Sequence, residues 1–166
     1  MSIPFMEALV ARDLQAASRE LDADVPPGMP DDLVNFLQFR LAQLDVDPSI
    51  LPWLGRAIVL TDDAGVRRAI GTIGFHGPPD EQGRVEVGYR VEPEYRRQGY
   101  ARESVRALFD WAASAHGIHR FIASVSPGNE ASLRLVESFG FRETGSHIDD
   151  IDGLELELEA QWPPAT

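Results

Sequence analysis

The chain has 166 residues, a formal net charge of −12 and no cysteine. That length fits one domain with a sizeable core; the acidic balance counts against a nucleic-acid partner; the missing thiols exclude disulfides, thiolate catalysis and cysteine-based metal sites. All 15 basic side chains are arginine, so the chain carries no lysine to acylate, and its cations are of the type that forks onto phosphate.

Pro4–Leu21 reads as one helix, with Phe5, Leu9, Leu14, Ala17 and Leu21 along an apolar stripe. The first residues lack the basic start and apolar core of a signal peptide, and no apolar run reaches the ~20 residues of a bilayer span. A cytoplasmic protein without membrane contact is therefore expected. Pro26, Pro27, Gly28 and Pro30 break the helix. Asp31 is placed to cap a second helix that buries Leu33, Phe36, Leu37, Leu41 and Leu44. Asp45–Pro52 is a turn-rich connection. No linker marks a boundary, so residues 1–166 are expected to form one domain, with 1–50 as a helical subregion.

After Trp53 the period changes. Arg56–Leu60 and Arg68–Phe75 read as strands around a turn at Asp62–Gly65, and Arg84–Glu92 as a third strand after the loop His76–Arg84. A helix carrying Ala101, Val105, Leu108, Phe109 and Ala112 on one side runs to Gly117. Strand Ile118–Val125, helix Glu130–Phe139, strand Phe141–Asp149, turn Asp150–Gly153 and strand Leu154–Ala160 complete the chain. In the last strand, leucines at 154, 156 and 158 alternate with glutamates at 155, 157 and 159, predicting one buried and one wet face. The order α-α-β-β-β-α-β-α-β-β predicts an α/β (α+β) fold, a mixed and mostly antiparallel central sheet flanked by helices.

The turn Arg96-Arg97-Gln98-Gly99-Tyr100-Ala101 is the most informative stretch. The positive end of a helix dipole disfavours cations, yet Arg96, Arg97 and Arg102 gather there. A bound anion resolves the conflict, because unpartnered amides and arginines then share it. Gly99 lets the backbone approach closely, and Ala101 is small. A solvated charged turn is the bland alternative. The stretch is neither a P-loop, lacking the lysine and spacing, nor a dinucleotide fingerprint, lacking the glycines. Glu86 shares its strand face with Gly88, Arg90 and Glu92. It is a candidate general base in a cleft that raises its pKa; an exposed glutamate, or one paired with Arg90, is the alternative. The histidines show no metal-ligand spacing, so no metal is expected, and Trp53, Trp111 and Trp162 read most simply as packing.

Strand, Pro93, Arg96-x-x-Gly99-x-Ala101 and helix together resemble the central motif of the GNAT superfamily of acyl-CoA-dependent N-acyltransferases. A second resemblance begins at Asn129 and ends in Gly140-Phe141. With Glu86-Val87-Gly88-Tyr89 ahead and Asn129-x-x-Ser132 behind, the chain is similar to the branch containing ribosomal-protein N-terminal acetyltransferases. The resemblance implies a sheet splayed at the strand before the helix that binds coenzyme A. It implies that acetyl-CoA is the co-substrate, its pyrophosphate held by Arg96, Arg97, Gln98, Gly99, Tyr100 and Ala101. Backbone groups of Val91 and Glu92 would pair with the pantetheine arm, Asn129 would hold that arm as well as cap its helix, and residues 1–50 would wall the acceptor site.

The implied reaction is direct attack of a primary amine, small-molecule or peptide, on the thioester. An ammonium with pKa ~10.4 must first lose a proton, and a strand amide near Val91 would stabilise the oxyanion. Many members place a tyrosine just before Glu137 as acid for the departing thiolate; here that position is Val136. Ser132 and Ser138 are the substitutes, or the thiolate leaves unaided. A catalytically silent acyl-CoA sensor or partner-binding module on the same fold is the competing function, and an α/β enzyme using the turn for a nucleotide is a third. The acceptor, a protein N-terminus, polyamine, aminoglycoside or small metabolite, is not read from sequence, and homodimerisation is left open.

Overall fold

A computed structural model describes residues 1–149 and 153–164. Of the turn expected at Asp150–Gly153, residues 150–152 lie outside the described residues. Six strands hydrogen-bond in the order β1-β2-β3-β4-β6-β5: β1 Arg56–Thr61, β2 Arg67–Phe75, β3 Arg84–Val91, β4 Arg120–Val125, β5 Arg142–Asp149 and β6 Gly153–Gln161. Among the described residues five α-helices accompany them: α1 Ile3–Val10, α2 Leu14–Leu21, α3 Met29–Val46, α4 Tyr100–His116 and α5 Glu130–Glu137. The expected mixed, mostly antiparallel sheet with helices is present. The chain divides into two compact units, one of residues 1–74 and 89–98, the other of residues 75–88 and 99–166.

In the first unit the expected single helix Pro4–Leu21 is two. Arg12 takes φ 58° and Asp13 accepts a hydrogen bond from the Ala16 amide at 2.9 Å, capping a new start. The break lets both short helices bury their apolar sides, and Phe5, Met6, Leu9 and Ala17 join Met29, Leu33, Leu37 and Leu44 of α3 in one core. Helix α3 starts at Met29, two residues before the expected cap, because Pro30 suits a first helical turn. The expected connection Asp45–Pro52 is helical to Val46 and then a 3-10 turn, Pro48–Trp53. Strands β1 and β2 are antiparallel, and the Glu92 amide donates to Ile70 of β2 at 2.9 Å. A Cβ on Gly71 would collide with the Arg90 carbonyl and stand 3.0 Å from Val91 Cα, so this position admits only glycine.

In the second unit β3 and β4 run parallel, as a right-handed crossover through a helix normally arranges. Their register covers only Arg84–Glu86 against Arg120–Ile122. Strand β4 stays paired to antiparallel β6 as far as Val125, and β6 pairs with β5. The inner face carries Val85, Phe121, Ala123, Leu158 and Ala160, all buried. Phe109 of α4 stacks on Phe121 at 3.9 Å between ring centres, burial worth about 1.5–3 kcal/mol per large side chain.

The other face departs from the wet surface expected of β6. Glu159 receives Arg120 at 2.6 Å and Arg84 at 3.5 Å, and Glu155 lies 3.7 Å from His147 of β5. Leu154 is instead 51% exposed, opposite Ile148 at the end of the hairpin. The alternation is right, but neighbouring strands supply cations to one face while the strand end leaves its leucine uncovered. Gly71→Val is expected to cost about 1–3 kcal/mol through overpacking, read as a lower urea midpoint; an unchanged midpoint would show that β3 does not press on Gly71.

Candidate active site

The turn after β3 is built by its own backbone. Arg97 has φ 60° and Gly99 φ 91°, left-handed conformations that curl the chain as anion-binding nests do. Gly99 is the N-cap of α4 and makes no side-chain capping bond. The first intrahelical bond runs from the Glu103 amide to the Gly99 carbonyl at 3.0 Å. The amides of Tyr100, Ala101 and Arg102 precede it and have no intrahelical partner. No atom lies within 4 Å of where a Gly99 Cβ would stand, so the turn has room for a ligand against its backbone.

Two side chains of this turn brace it. Arg96 Nε donates to the Val91 carbonyl at 2.8 Å, and Gln98 Nε2 donates to the Glu94 carbonyl at 3.0 Å. The Val91 carbonyl, expected to meet pantetheine, therefore already accepts from Arg96. Glu92 departs further from its expected role. Its amide serves Ile70 of β2, and since strand peptides alternate in direction, Val91 rather than Glu92 points away from β2.

Asn129 Oδ1 accepts from the Ser132 amide at 3.2 Å and caps α5. Ser132 is half-buried in the first turn of that helix. Ser138 Oγ donates to the Leu135 carbonyl at 2.6 Å, which holds the hydroxyl proton expected for the thiolate. Val136 is a core residue, 2% exposed.

Glu86 is half-buried, and its surroundings differ from the expectation. The His76 amide donates to the Glu86 carbonyl at 2.9 Å, which sets the two residues opposite each other. His76 Nδ1 then lies 3.4 Å from Glu86 Oε1. A Cβ on Gly88 would come within 2.6 Å of His76 Nε2, so the imidazole lies over this glycine. Hydrogen bonding from His76 lowers the Glu86 pKa most; burial opposes this, while the His76 charge, a Ser124 hydrogen bond and the charge of His147 lower it further. The sequence expectation of a raised pKa is thus corrected: polar partners outweigh desolvation. The reading missed His76, Ser124 and His147. Its one available signal was the hairpin that sets His76 opposite Glu86.

A family model described as "Acetyltransferase (GNAT) domain" matches residues 15–142. The uncharacterized N-acetyltransferase YjdG of Bacillus subtilis (strain 168) is 27% identical over 85% of this chain and 82% of its own length. The uncharacterized N-acetyltransferase YoaA of the same organism is 40% identical over 48% of this chain, a match spanning only 45% of YoaA. Among solved structures, the ribosomal-protein-S5-alanine acetyltransferase of Vibrio fischeri shares the fold at TM-score 0.59 and 18% identity, over 96% of this chain and 92% of that one.

The depressed acidity of Glu86 has a direct readout. Following its side-chain carboxyl by carbon NMR, the titration midpoint is expected below the ordinary ~4.3, rising in His76→Phe as the main hydrogen bond is lost. A wild-type midpoint above the ordinary value would contradict this geometry.

Proposed function

The chain belongs to the GNAT family of acetyltransferases, and from that membership we propose that it transfers an acetyl group from acetyl-CoA to a primary amine by direct attack. The observation that carries the proposal is the uncapped start of α4 behind the left-handed residues Arg97 and Gly99. Arginines at a positive helix end are unfavourable alone and favourable with a polyanion. The amides from Arg97 to Ala101 hold the pyrophosphate, with Arg96 and Gln98 stiffening the turn. When bound, acetyl-CoA supplies the activated acetyl thioester.

The rest of the assignment follows the chain. Val91 offers its outward peptide to the pantetheine arm and its amide to the oxyanion. Asn129 offers its remaining polar group to the same arm. Residues 1–166 act as one domain with 1–50 as acceptor-side wall, a reading supported by a family match that runs through the helices from residue 15. The ribosomal-protein branch is supported by the residues around Glu86 and Asn129 and by the fold likeness already described. Deprotonation of the amine is placed at Glu86, whose partial burial and strand position favour it.

Protonation of the leaving sulfur is placed at Ser132 or left to solvent, since Val136 is in the core and Ser138 is bonded to Leu135. A thiol of pKa ~8.5 departs tolerably unaided. The same two observations favour the second reading, a silent acyl-CoA-binding module.

Calorimetry with acetyl-CoA followed by thiol release with an amine panel (an alanine-initiated peptide, spermidine, an aminoglycoside, benzylamine) decides between them. Binding with turnover supports the enzyme, binding without turnover the module, and absence of binding refutes both. Gly99→Trp is expected to weaken CoA binding at least tenfold; unchanged affinity would remove the cradle. Glu86→Gln is expected to lower turnover by about 10²–10⁴ with CoA affinity nearly unchanged, and a wild-type rate would remove Glu86.

A further inference from the structure

We propose that strand β5 is a homodimer contact, on which a second copy of this chain seats its own β5, antiparallel, about a twofold axis at Ile148. The sheet order places β5 last, and among the described residues it pairs with β6 alone. Half of the backbone groups of an edge strand point away from its single partner, and they pair readily with another extended chain. Natural edges are commonly guarded by proline, by lysine or by a bulge. Strand β5 holds neither proline nor lysine, and its bulge lies between Glu143 and Gly145. Beyond the bulge, the run from Gly145 to Asp149 is paired to β6 in unbroken register. That run presents a regular edge.

Its side chains select the occupant. Ile148 is 80% exposed, and Leu154, directly across from it on β6, is 51% exposed. By strand alternation they lie on the side of the sheet where Leu158 and Ala160 are buried. Pairing about Ile148 covers it with the partner's Ile148. It also forms a row of four apolar side chains, Leu154 and Ile148 from each copy, on strands ~4.8 Å apart. On the opposite side His147 then faces the partner's Asp149, and the axis makes this basic–acidic pair twice. His147 lies 3.7 Å from Glu155 of its own chain, so the partner's Asp149 adds a second carboxylate beside it. Moving the axis to His147 or to Asp149 sets like groups against each other and takes Ile148 off its mate. Charge and apolar pattern therefore choose the same register. A contact of this kind uses the same edge of both copies and closes at two.

Neither the contact nor its test depends on catalysis. Sedimentation velocity of the whole chain over ~1–500 μM is expected to show a monomer–dimer equilibrium, and a monomer throughout overturns the proposal. Ile148→Lys is expected to weaken dimerisation by roughly tenfold or more. Val46→Lys, on the similarly bare Val46 of α3 (87% exposed), is expected to leave it unaltered. The reverse pattern overturns the contact. The chain has no cysteine, so Ile148→Cys introduces a single thiol. Opposed residues of an antiparallel pair have Cα atoms about 4.5–5.5 Å apart, inside the ~4.4–6.8 Å that a disulfide spans. Oxidised Ile148→Cys is therefore expected to run as a covalent dimer on a non-reducing gel. In Ser146→Cys the two thiols stand about 13 Å apart along the paired strands, so that variant is expected to stay monomeric on the gel. Faster linkage through Ser146→Cys than through Ile148→Cys overturns the register and the proposal with it.

Discussion

Strand β3 has a parallel partner for only its first residues, and this constraint governs the site. Every strand peptide must be satisfied, yet the register with β4 ends at Glu86 and Ile122. Beyond it the outward carbonyl of Val91 is satisfied by Arg96 Nε from the following turn. The same contact braces the turn against the end of β3.

The glycines near this strand have separate causes. Gly71 permits the close approach of β2 to Arg90 and Val91. Gly88 makes room for an imidazole, and Gly99 supplies a left-handed residue at the helix start. Their effects are steric, yet the consequences are chemical: a histidine–glutamate contact over one and helix-start amides without intrahelical partners after the other. Any side chain at Gly88 would meet the His76 ring and move it away from Glu86.

The polar face of β3, β4, β6 and β5 shows how pairing decides acidity. Glu86 is desolvated enough to favour its neutral form, but hydrogen bonds from His76 and Ser124 favour the anion and prevail. Glu159 answers Arg84 and Arg120, and Glu155 answers His147. Some of the chain's acidic side chains are therefore paired within this face rather than facing solvent alone.

Local rules made most elements legible. Alternation marked β6, Gly117 marked the end of α4, and the arginine–glycine turn marked its start; α5 ends at Glu137, short of the expected Phe139. The failures arose where local signals compete. Asp13 can cap a helix or sit within one, and only the burial of α1 and α2 against α3 decides for the cap. Whether a glutamate on β6 is wet depends on arginines 39 and 75 positions earlier, at Arg120 and Arg84. The sequence by itself determined the sheet class, the strand–turn–helix order around Gly99 and the place of Glu86 on its strand, because those follow from periodicity and from contacts between near neighbours. The tertiary structure alone decided that His76 stands opposite Glu86, since an irregular loop at 77–83 leaves hairpin register open. That register, rather than the identity of Glu86, sets the acidity of its carboxyl group.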